Sequence, residues 1–311
     1  MPYRPTLRQL SYLVALYDLR NFSRAADRCF VTQSTLSAGL RELERGLGLR
    51  VVERTKRSVR FTPLGEAVVG RARDILHRTD DLMDLVQASA EPLSGPLRLG
   101  MIPTIGPFLL PRVLPTLKTE HPALRLYLRE DLSDRLLRRL VEGELDILLL
   151  AFPFPVADGI TVVQLADDPF TVVFPQGHAF AAREFITPDD LVGEDLLLLD
   201  EGHCLRAHAL SACSLEGVHR PDEFRATSLL TLAEMVDVGL GLTLVPKLAI
   251  DGGLLRGLHV GARPLEGAGA GRTVGLAWRA SSVRSEEFHM LGDYVRDELA
   301  TPLPPMRAQT Q

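Results

Sequence analysis

The sequence predicts an α/β chain built from a small helical head, one long helix and a larger body of alternating strands and helices. Three observations predict it: helical spacing of apolar residues at the start, alternating strand and helix patterns after residue 96, and a change in the sign of the charge. Residues 1–60 carry 12 Lys/Arg and 5 Asp/Glu, a net charge of +7, whereas residues 91–311 carry 20 and 30, a net charge of −10. A basic head on an acidic body is typical of a polyanion-binding module joined to a second domain.

Length and composition narrow the class of protein. A chain of 311 residues is long enough for two or three domains with good burial in each. Its apolar runs are too short to span a bilayer, so we expect no membrane partner, and its start lacks the apolar segment of a signal peptide. Three cysteines are too few for a secreted disulfide scaffold of this size. The sequence therefore predicts a cytoplasmic globular protein, and no pattern in it predicts a metal site or a cofactor.

Three helices and a turn are predicted in the head. Apolar residues from Leu7 to Tyr17 keep helical spacing, and Asn21 or Ser23 is the expected N-cap of a second, short helix. After a turn at residues 31–34, a third helix presents one apolar face and ends at Gly48. Two helices joined by a tight turn form a helix-turn-helix, whose second helix places its first residues in the major groove of DNA. The residues expected to contact bases or phosphates are Gln33, Ser34, Thr35, Ser37 and Arg41.

A basic stretch with strand-like alternation follows at residues 51–61. It predicts a β-hairpin wing that lies against DNA phosphates, with Arg54, Lys56, Arg57 and Arg60 as its cations. The alternative is a plain three-helix bundle with a solvated basic face, but the wing and the polar start of the third helix favour DNA binding. Cys29 is expected in the core of the head.

The next pattern predicts a long helix that pairs with a second copy of the chain. Apolar residues at alternating spacings of 4 and 3 form the seam of a coiled coil, which implies a dimer. The charged residues that flank this seam suit an exposed helix, although a helix packed on its own domain is the alternative. The helix is expected to end near Glu91. The seam residues are Val68, Ala72, Ile75, Thr79, Leu82 and Val86.

Strands and helices alternate through the body, and this βαβ order predicts a mainly parallel sheet. The expected strands are Leu97–Ile102, Leu124–Glu130, Leu145–Ala151, Phe170–Phe174, Leu196–Leu199, Leu242–Val245 and Thr273–Trp278. The expected helices are Pro107–His121, Ser133–Glu142, Ser228–Val238 and Ser285–Leu299.

Two of the three cysteines lie close together in the segment from Leu199 to Cys213. Cys204 follows His203 and precedes Arg206 by two positions, and nearby positive charge favours the thiolate, the form that reacts with oxidants. If the intervening residues are helical, the two cysteine Cα atoms lie roughly 13 Å apart, whereas a disulfide needs about 7 Å or less. A bond between them would require local refolding, as in a redox switch. The alternative is that both are small buried hydrophobes in a reducing cytosol.

The run from Phe22 to Thr55, followed by F-T-P-L-G at residues 61–65, resembles the winged helix-turn-helix of LysR-type transcriptional regulators. One departure is Ser34, where the family usually carries proline. The body resembles the family's regulatory domain, which has two α/β subdomains of the periplasmic-binding-protein kind. The resemblance implies a DNA-binding domain at residues 1–63, a linker and dimerisation helix at 64–92, and a regulatory domain at 93–311, with subdomain I at about 93–165 and 271–300, subdomain II at about 166–270 and a disordered tail at 301–311.

Four motifs in the body carry a closer resemblance: G-H-C-L-R at 202–206, F-R-A-T-S at 224–228, M-I-P-T-I-G-P at 101–107 and R-T-V-G-L at 272–276. Together with Cys213 they are similar to the OxyR group of hydrogen-peroxide sensors within the LysR family. By this resemblance Cys204 is the peroxidatic cysteine, oxidised to a sulfenic acid, and Cys213 resolves it as a disulfide. The residues implied around the peroxide and the thiolate are Thr104, Ser133, His203, Arg206 and Arg272.

The sequence differs from the OxyR group at two positions, and the resemblance also implies what the protein binds. Ala207 stands where the best-known members carry aspartate and Glu223 where some carry histidine, which bears on the speed of oxidation. The implied protein regulates antioxidant genes and is not an enzyme. Its implied partners are double-stranded promoter DNA, hydrogen peroxide, further copies in a homodimer or homotetramer, and RNA polymerase. Two alternatives stay open: a LysR-type regulator that binds a metabolite in the cleft between subdomains, which requires no cysteine pair, and a thiol peroxidase, which requires no DNA-binding head.

Overall fold

The structure of the protein is a computed structural model that describes residues 3–54, 59–88, 92–212 and 226–300. The chain divides into two compact units, residues 1–86 and residues 87–311. Helices and strands are both present, and the predicted fold class, a winged helix-turn-helix and a long helix followed by an α/β domain, is confirmed. No helix among the described residues is long and apolar enough to cross a membrane.

The described head contains the three expected helices, α1 (Leu7–Leu19), α2 (Phe22–Arg28) and α3 (Gln33–Leu47). The Oγ1 atom of Thr32 caps α3 by accepting a hydrogen bond from the backbone N–H of Thr35 at 3.2 Å. Residues 33 and 34, predicted as part of the turn, therefore form the first turn of α3, and that prediction was wrong. The helix ends at Gly48, whose positive φ of 67° favours glycine.

The wing follows as two short antiparallel strands, β1 (Val52–Arg54) and β2 (Val59–Phe61), with residues 55–58 between them outside the described residues. The carboxylate of Glu44 in α3 accepts hydrogen bonds from the backbone N–H groups of Val51 and Val52, at 3.0 and 3.1 Å. These bonds fix the start of the wing against α3. Cys29 is half-buried against the same apolar core.

The long helix α4 spans Pro63–Ala88. Its first turns pack on the head, because Val69 and Ala72 are each only 1% exposed within the apolar core there. Ala72 is therefore not available to a coiled-coil seam, which corrects its assignment. Ile75 and Leu82, in contrast, are 46% and 58% exposed, at a spacing of seven residues. The side chain of Val86 lies outside the described residues.

In the described part of the body, eight strands form one sheet. They are β3 (Gly95–Met101), β4 (Leu124–Glu130), β5 (Ile147–Phe152), β6 (Ile160–Pro175), β7 (Leu196–Leu197), β8 (Leu242–Pro246), β9 (Val260–Pro264) and β10 (Gly271–Arg279). Their order across the sheet is β4-β3-β5-β10-β6-β8-β7, with β9 paired to β6. The first three of these run parallel, and so do β7 and β8, but β10 and β6 are antiparallel to their neighbours. The sheet is thus mixed, and the prediction of a mainly parallel sheet was wrong.

Two apolar cores lie along this sheet. The first, which we call the subdomain I core, includes residues of β3, β5 and β10, and the second, the subdomain II core, includes residues of β7 and β8. Helices cover both. They are α5 (Gly106–Glu120), α6 (Ser133–Val141), α7 (Cys204–Ala212), α8 (Leu229–Asp237), α9 (Lys247–Asp251) and α10 (Ser285–Ala300).

Strand β6 runs continuously through both subdomains, whereas the local sequence pattern predicts only part of its second half as a strand. Its residues 160–169 pair with β10, and residues 170–175 pair with β8 and β9. Only Phe170–Phe174 was expected, because Asp167, Asp168 and Pro169 interrupt the apolar pattern like a loop. In the structure Asp168 has a buried cationic partner, which removes the reason to exclude it from a strand.

Candidate functional site

One edge of the sheet gathers residues that are far apart in the sequence. Strands β3, β4 and β5 run parallel, so their carboxyl ends meet at the same edge. Strand β10 is antiparallel to β5 and begins at that edge, since Thr273 lies opposite Phe152. The edge therefore brings together Thr104 after β3, Ser133 after β4, Pro153 after β5 and Arg272 at the start of β10.

A buried network ties this edge to strand β6. The guanidinium of Arg272 donates from Nε to Asp168 Oδ2 at 3.0 Å, from Nη1 to Thr104 Oγ1 at 2.7 Å and from Nη2 to the Thr104 carbonyl at 3.0 Å. All three residues are at most 3% exposed. The second oxygen of Asp168 accepts the backbone N–H of Leu248 at 2.9 Å. Because Thr104 Oγ1 already accepts from Arg272, its hydroxyl hydrogen is left to donate to another group.

Cys204 is the first residue of α7 and is 8% exposed. It packs in the subdomain I core, whereas Leu205 and Ala209 of the same helix pack in the subdomain II core. Helix α7 therefore joins the two cores, and any change in its conformation acts on both. The N-terminus of a helix stabilises negative charge placed there.

The loop before Cys204 lies against the start of α6. Gly202 has a positive φ of 92°, which side chains rarely adopt, and a Cβ built on it would be 3.0 Å from Leu132 Cδ1. Burial lowers the pKa of His203 below its ordinary value, partly offset by the charge of Asp200. Arg206 donates from Nη1 to the Leu199 carbonyl at 3.2 Å.

His208 lies one turn beyond Cys204 and is 6% exposed. Its Nε2 is 2.7 Å from the carbonyl oxygen of Pro153, an atom that can only accept, so Nε2 carries the hydrogen of a neutral ring. Burial lowers the pKa of His208 first, and the charge of Arg272 lowers it further, while the bond to Pro153 opposes both. The neutral ring is therefore the favoured form at neutral pH.

Sequence reasoning missed two residues of this edge. Asp168 is seen only when β6 and β10 pair, because it stands opposite Arg272 in their register. His208 had one available signal, its spacing of four residues from Cys204, which places both on one face of a helix. Cys213 and Glu223 lie outside the described residues, so the separation of the two cysteines is not given by the structure. The helical expectation for the intervening segment holds from Cys204 to Ala212.

The candidate DNA-contacting residues of the head lie in the first turns of α3 and in the wing. Gln33, Ser34, Thr35 and Arg41 are exposed and Ser37 is half-buried. The hydroxyls of Ser34 and Thr35 are each 2.8 Å from Thr32 Oγ1, and Ser23 Oγ donates to Gln33 Oε1 at 3.3 Å. Lys56 and Arg57 lie outside the described residues, and Arg54 ends β1.

Two known families match the chain. The "bacterial regulatory helix-turn-helix protein, lysR family" matches residues 7–66, and the "LysR substrate binding domain" matches residues 90–300. One match lies in each compact unit, and residues 67–89 between them, which hold most of α4, are outside both.

Individual relatives match over nearly the whole chain. The "hydrogen peroxide-inducible genes activator" of Dickeya chrysanthemi is 40% identical over 304 residues, 98% of this chain and 99% of that protein. The "HTH-type transcriptional regulator EstR" of Acinetobacter baylyi is 43% identical over 300 residues, 96% of this chain and 98% of that protein. A full-length OxyR of Pseudomonas aeruginosa with a cysteine-to-aspartate substitution superposes with a TM-score of 0.79 at 37% identity, covering 94% of this chain and 95% of that chain. The chain therefore belongs to the LysR family of bacterial helix-turn-helix transcription regulators and, within it, is similar to the OxyR proteins.

Proposed function

We propose that the protein is a transcription regulator that senses hydrogen peroxide through Cys204 and passes the signal to DNA. Oxidation of Cys204 and its disulfide with Cys213 changes the conformation of the regulatory domain and thereby the binding of promoter DNA at antioxidant genes. The observation that carries the proposal is the position of Cys204: it is buried as the first residue of α7, a helix that packs in both cores and is held to the sheet edge of Thr104, Ser133 and Arg272 by the hydrogen bond from His208 to Pro153.

Hydrogen peroxide is the only oxidant that the proposed switch requires. Cys204 and one hydrogen peroxide give a sulfenic acid and one water; the thiol of Cys213 then displaces a second water and closes the disulfide. A disulfide cannot form across a helix that keeps two cysteines nine positions apart, at roughly 13 Å between Cα atoms. Closing it therefore unwinds α7, and because α7 packs in both cores, the two subdomains must readjust.

Overall sequence similarity does not show whether the protein responds to peroxide or to a metabolite. The relative named EstR is as similar to this chain as the peroxide-inducible activator is. The cysteine pair favours peroxide over a metabolite, because binding a metabolite in the cleft needs no thiol. A thiol peroxidase is not supported, since the chain matches transcription regulators from the head to the end of α10.

A thiol count with a footprint tests the proposal. We expect micromolar peroxide to remove two free thiols per chain, assigned by mass spectrometry to Cys204 and Cys213, and to alter the DNA footprint in parallel. Reduction by a dithiol should restore both. A footprint that changes while both cysteines stay reduced would contradict the peroxide proposal and favour a metabolite.

We expect α3 to contact the bases of the DNA and the wing to contact its phosphates. We expect Gln33→Ala to weaken specific binding by about 1–3 kcal/mol and to relax sequence preference, because a base contact is lost. Arg60→Ala, an exposed wing residue, should weaken binding to all sequences and flatten its dependence on salt. Salt-titrated binding to a specific and a random duplex measures both effects. Identical behaviour of the two variants would contradict this division.

The exposed side of α4 should hold a dimer together. Ile75 and Leu82 are exposed apolar residues at heptad spacing, so we expect Leu82→Glu to weaken self-association of the full chain at least about tenfold. Gly70→Ala is the matched control, because an added Cβ there meets nothing within 4 Å. Sedimentation velocity over a concentration series measures the change. Equal dissociation constants for both variants would show that α4 is not the dimer contact.

A further inference from the structure

Two buried side-chain atoms have no hydrogen-bond partner among the residues that the structure describes: Ser133 Oγ and His208 Nδ1. Native proteins pair nearly all such atoms, and an exception calls for an explanation, such as a bound water or ion, strain or a catalytic role. Ser133 is 2% exposed and His208 is 6% exposed, so neither side chain reaches bulk water easily. Both belong to the sheet edge described above, Ser133 at the start of α6 and His208 through its bond to the Pro153 carbonyl.

The orientation of the His208 ring is fixed by that bond. Since Nε2 carries the hydrogen and donates to Pro153, Nδ1 keeps a free lone pair and can only accept. His208 and Cys204 are four residues apart on α7, so both side chains lie on one face of the helix. Pro153 follows Phe152, which pairs with Thr273 next to Arg272, so the ring of His208 lies in the neighbourhood of the network.

Apart from Ser133 Oγ, which can accept as well as donate, the polar groups of Arg272 and Thr104 at this edge offer hydrogen-bond donors. Arg272 has only N–H groups, and the hydroxyl hydrogen of Thr104 is free because its oxygen accepts from Arg272. Hydrogen peroxide, however, carries two O–H groups that each need an acceptor when it is buried. Ala207 has no polar side chain and is exposed, so position 207 cannot supply one.

We propose that His208 contacts the peroxide, with Nδ1 of the neutral ring accepting a hydrogen bond from one peroxide O–H. This inference rests on the proposed peroxide function and names a residue that it does not include. The thiolate sulfur of Cys204 bonds to one peroxide oxygen, which keeps its hydrogen, as the O–O bond breaks. The departing hydroxide takes up the proton that the thiol released, and the products are a sulfenic acid and one water. His208 orients the peroxide for this step and is not consumed.

Two substitutions at His208 distinguish the role of ring atom Nδ1 from the role of Nε2. In His208→Gln the amide nitrogen can still donate to Pro153, but the acceptor at the Nδ1 position is lost. In His208→Asn the amide oxygen can take the place of Nδ1, but the bond to Pro153 is lost. Ser211→Ala, on the exposed side of α7, is the matched control. The full chain is pulsed with hydrogen peroxide, quenched with acid and analysed by mass spectrometry of the Cys204 peptide, and iodoacetamide alkylation of Cys204 is timed in parallel.

We expect His208→Gln to slow oxidation by peroxide about tenfold, the effect of one lost hydrogen bond, while its alkylation rate stays within about twofold of wild type. His208→Asn should oxidise within about threefold of wild type. A purely structural role of the Pro153 bond gives the opposite order, with Asn slow and Gln normal, and this would overturn the inference. So would equal losses toward peroxide and iodoacetamide.

Folding and the proposed function are checked in the same samples. If His208→Gln does not fold, the test is the rate at which peroxide oxidises Cys204 in His208→Asn compared with the rate in Ser211→Ala. A rate in His208→Asn that is tenfold lower would overturn the inference. Should wild-type Cys204 itself resist micromolar peroxide, the proposed function fails instead. A reactive wild type with an equally reactive His208→Gln overturns only the role of His208.

Discussion

Cys204→Ser is expected to abolish the response to peroxide. Serine cannot form a sulfenic acid, and the other described cysteine, Cys29, lies in the head, in the other compact unit. Burial raises the pKa of Cys29, with Arg28 opposing in part, so its thiol is held in the unreactive form. We expect the DNA footprint of Cys204→Ser to be the same with and without peroxide, and to match that of the reduced wild type.

Two cysteine variants serve as controls for this result. Cys29→Ser should respond like wild type. Cys213→Ser should still consume peroxide at Cys204 but stop at a sulfenic acid or a mixed disulfide, since oxidation of one sulfur does not unwind α7. Mass spectrometry identifies each species, and footprinting reports the consequence. A full footprint change in Cys204→Ser would place the sensor elsewhere, and one in Cys213→Ser would show that the disulfide is not required.

Arg272→Met is expected to destabilise the regulatory domain by about 3–5 kcal/mol, because it leaves the carboxylate of Asp168 buried without its cation. Thr104 would lose two hydrogen-bond donors in the same change. The free energy of unfolding in urea measures the loss. Reactivity of Cys204 toward peroxide should fall as well, since Arg272 fixes the Thr104 hydroxyl at the site.

The double variant Asp168→Leu, Arg272→Met distinguishes the effect of Arg272 on the stability of the domain from its effect on the reactivity of Cys204 toward peroxide. Replacing both members of a buried ion pair by apolar residues is often close to neutral, so part of the lost stability should return. The return is incomplete because the Leu248 N–H and the Thr104 carbonyl still lack these partners. Reactivity should not return, because the arginine is still absent. A loss below about 1 kcal/mol in Arg272→Met alone would show that the pair is not desolvated in solution.

Local sequence was sufficient for the elements whose ends are set by neighbouring residues. The cap at Asn21 and the left-handed Gly48 act within a few positions, so the helices of the head were predicted closely. Strand Leu124–Glu130 was predicted with the observed bounds. The family resemblance also followed from contiguous motifs, which need no knowledge of tertiary contacts.

Only the tertiary structure decided the features that depend on partners distant in the chain. Asp168 is separated from Arg272 by 104 residues, and a buried aspartate is tolerated in a strand only when such a partner is present. Ala72 has the spacing of a dimer seam, yet it is buried in the head, since spacing fixes a helical face but not what covers it. His208 likewise gained its fixed ring from the Pro153 carbonyl, 55 residues away. Sequence by itself thus determined most of the helices, several of the strands and the family, whereas burial and pairing arose from long-range packing that no local pattern encodes.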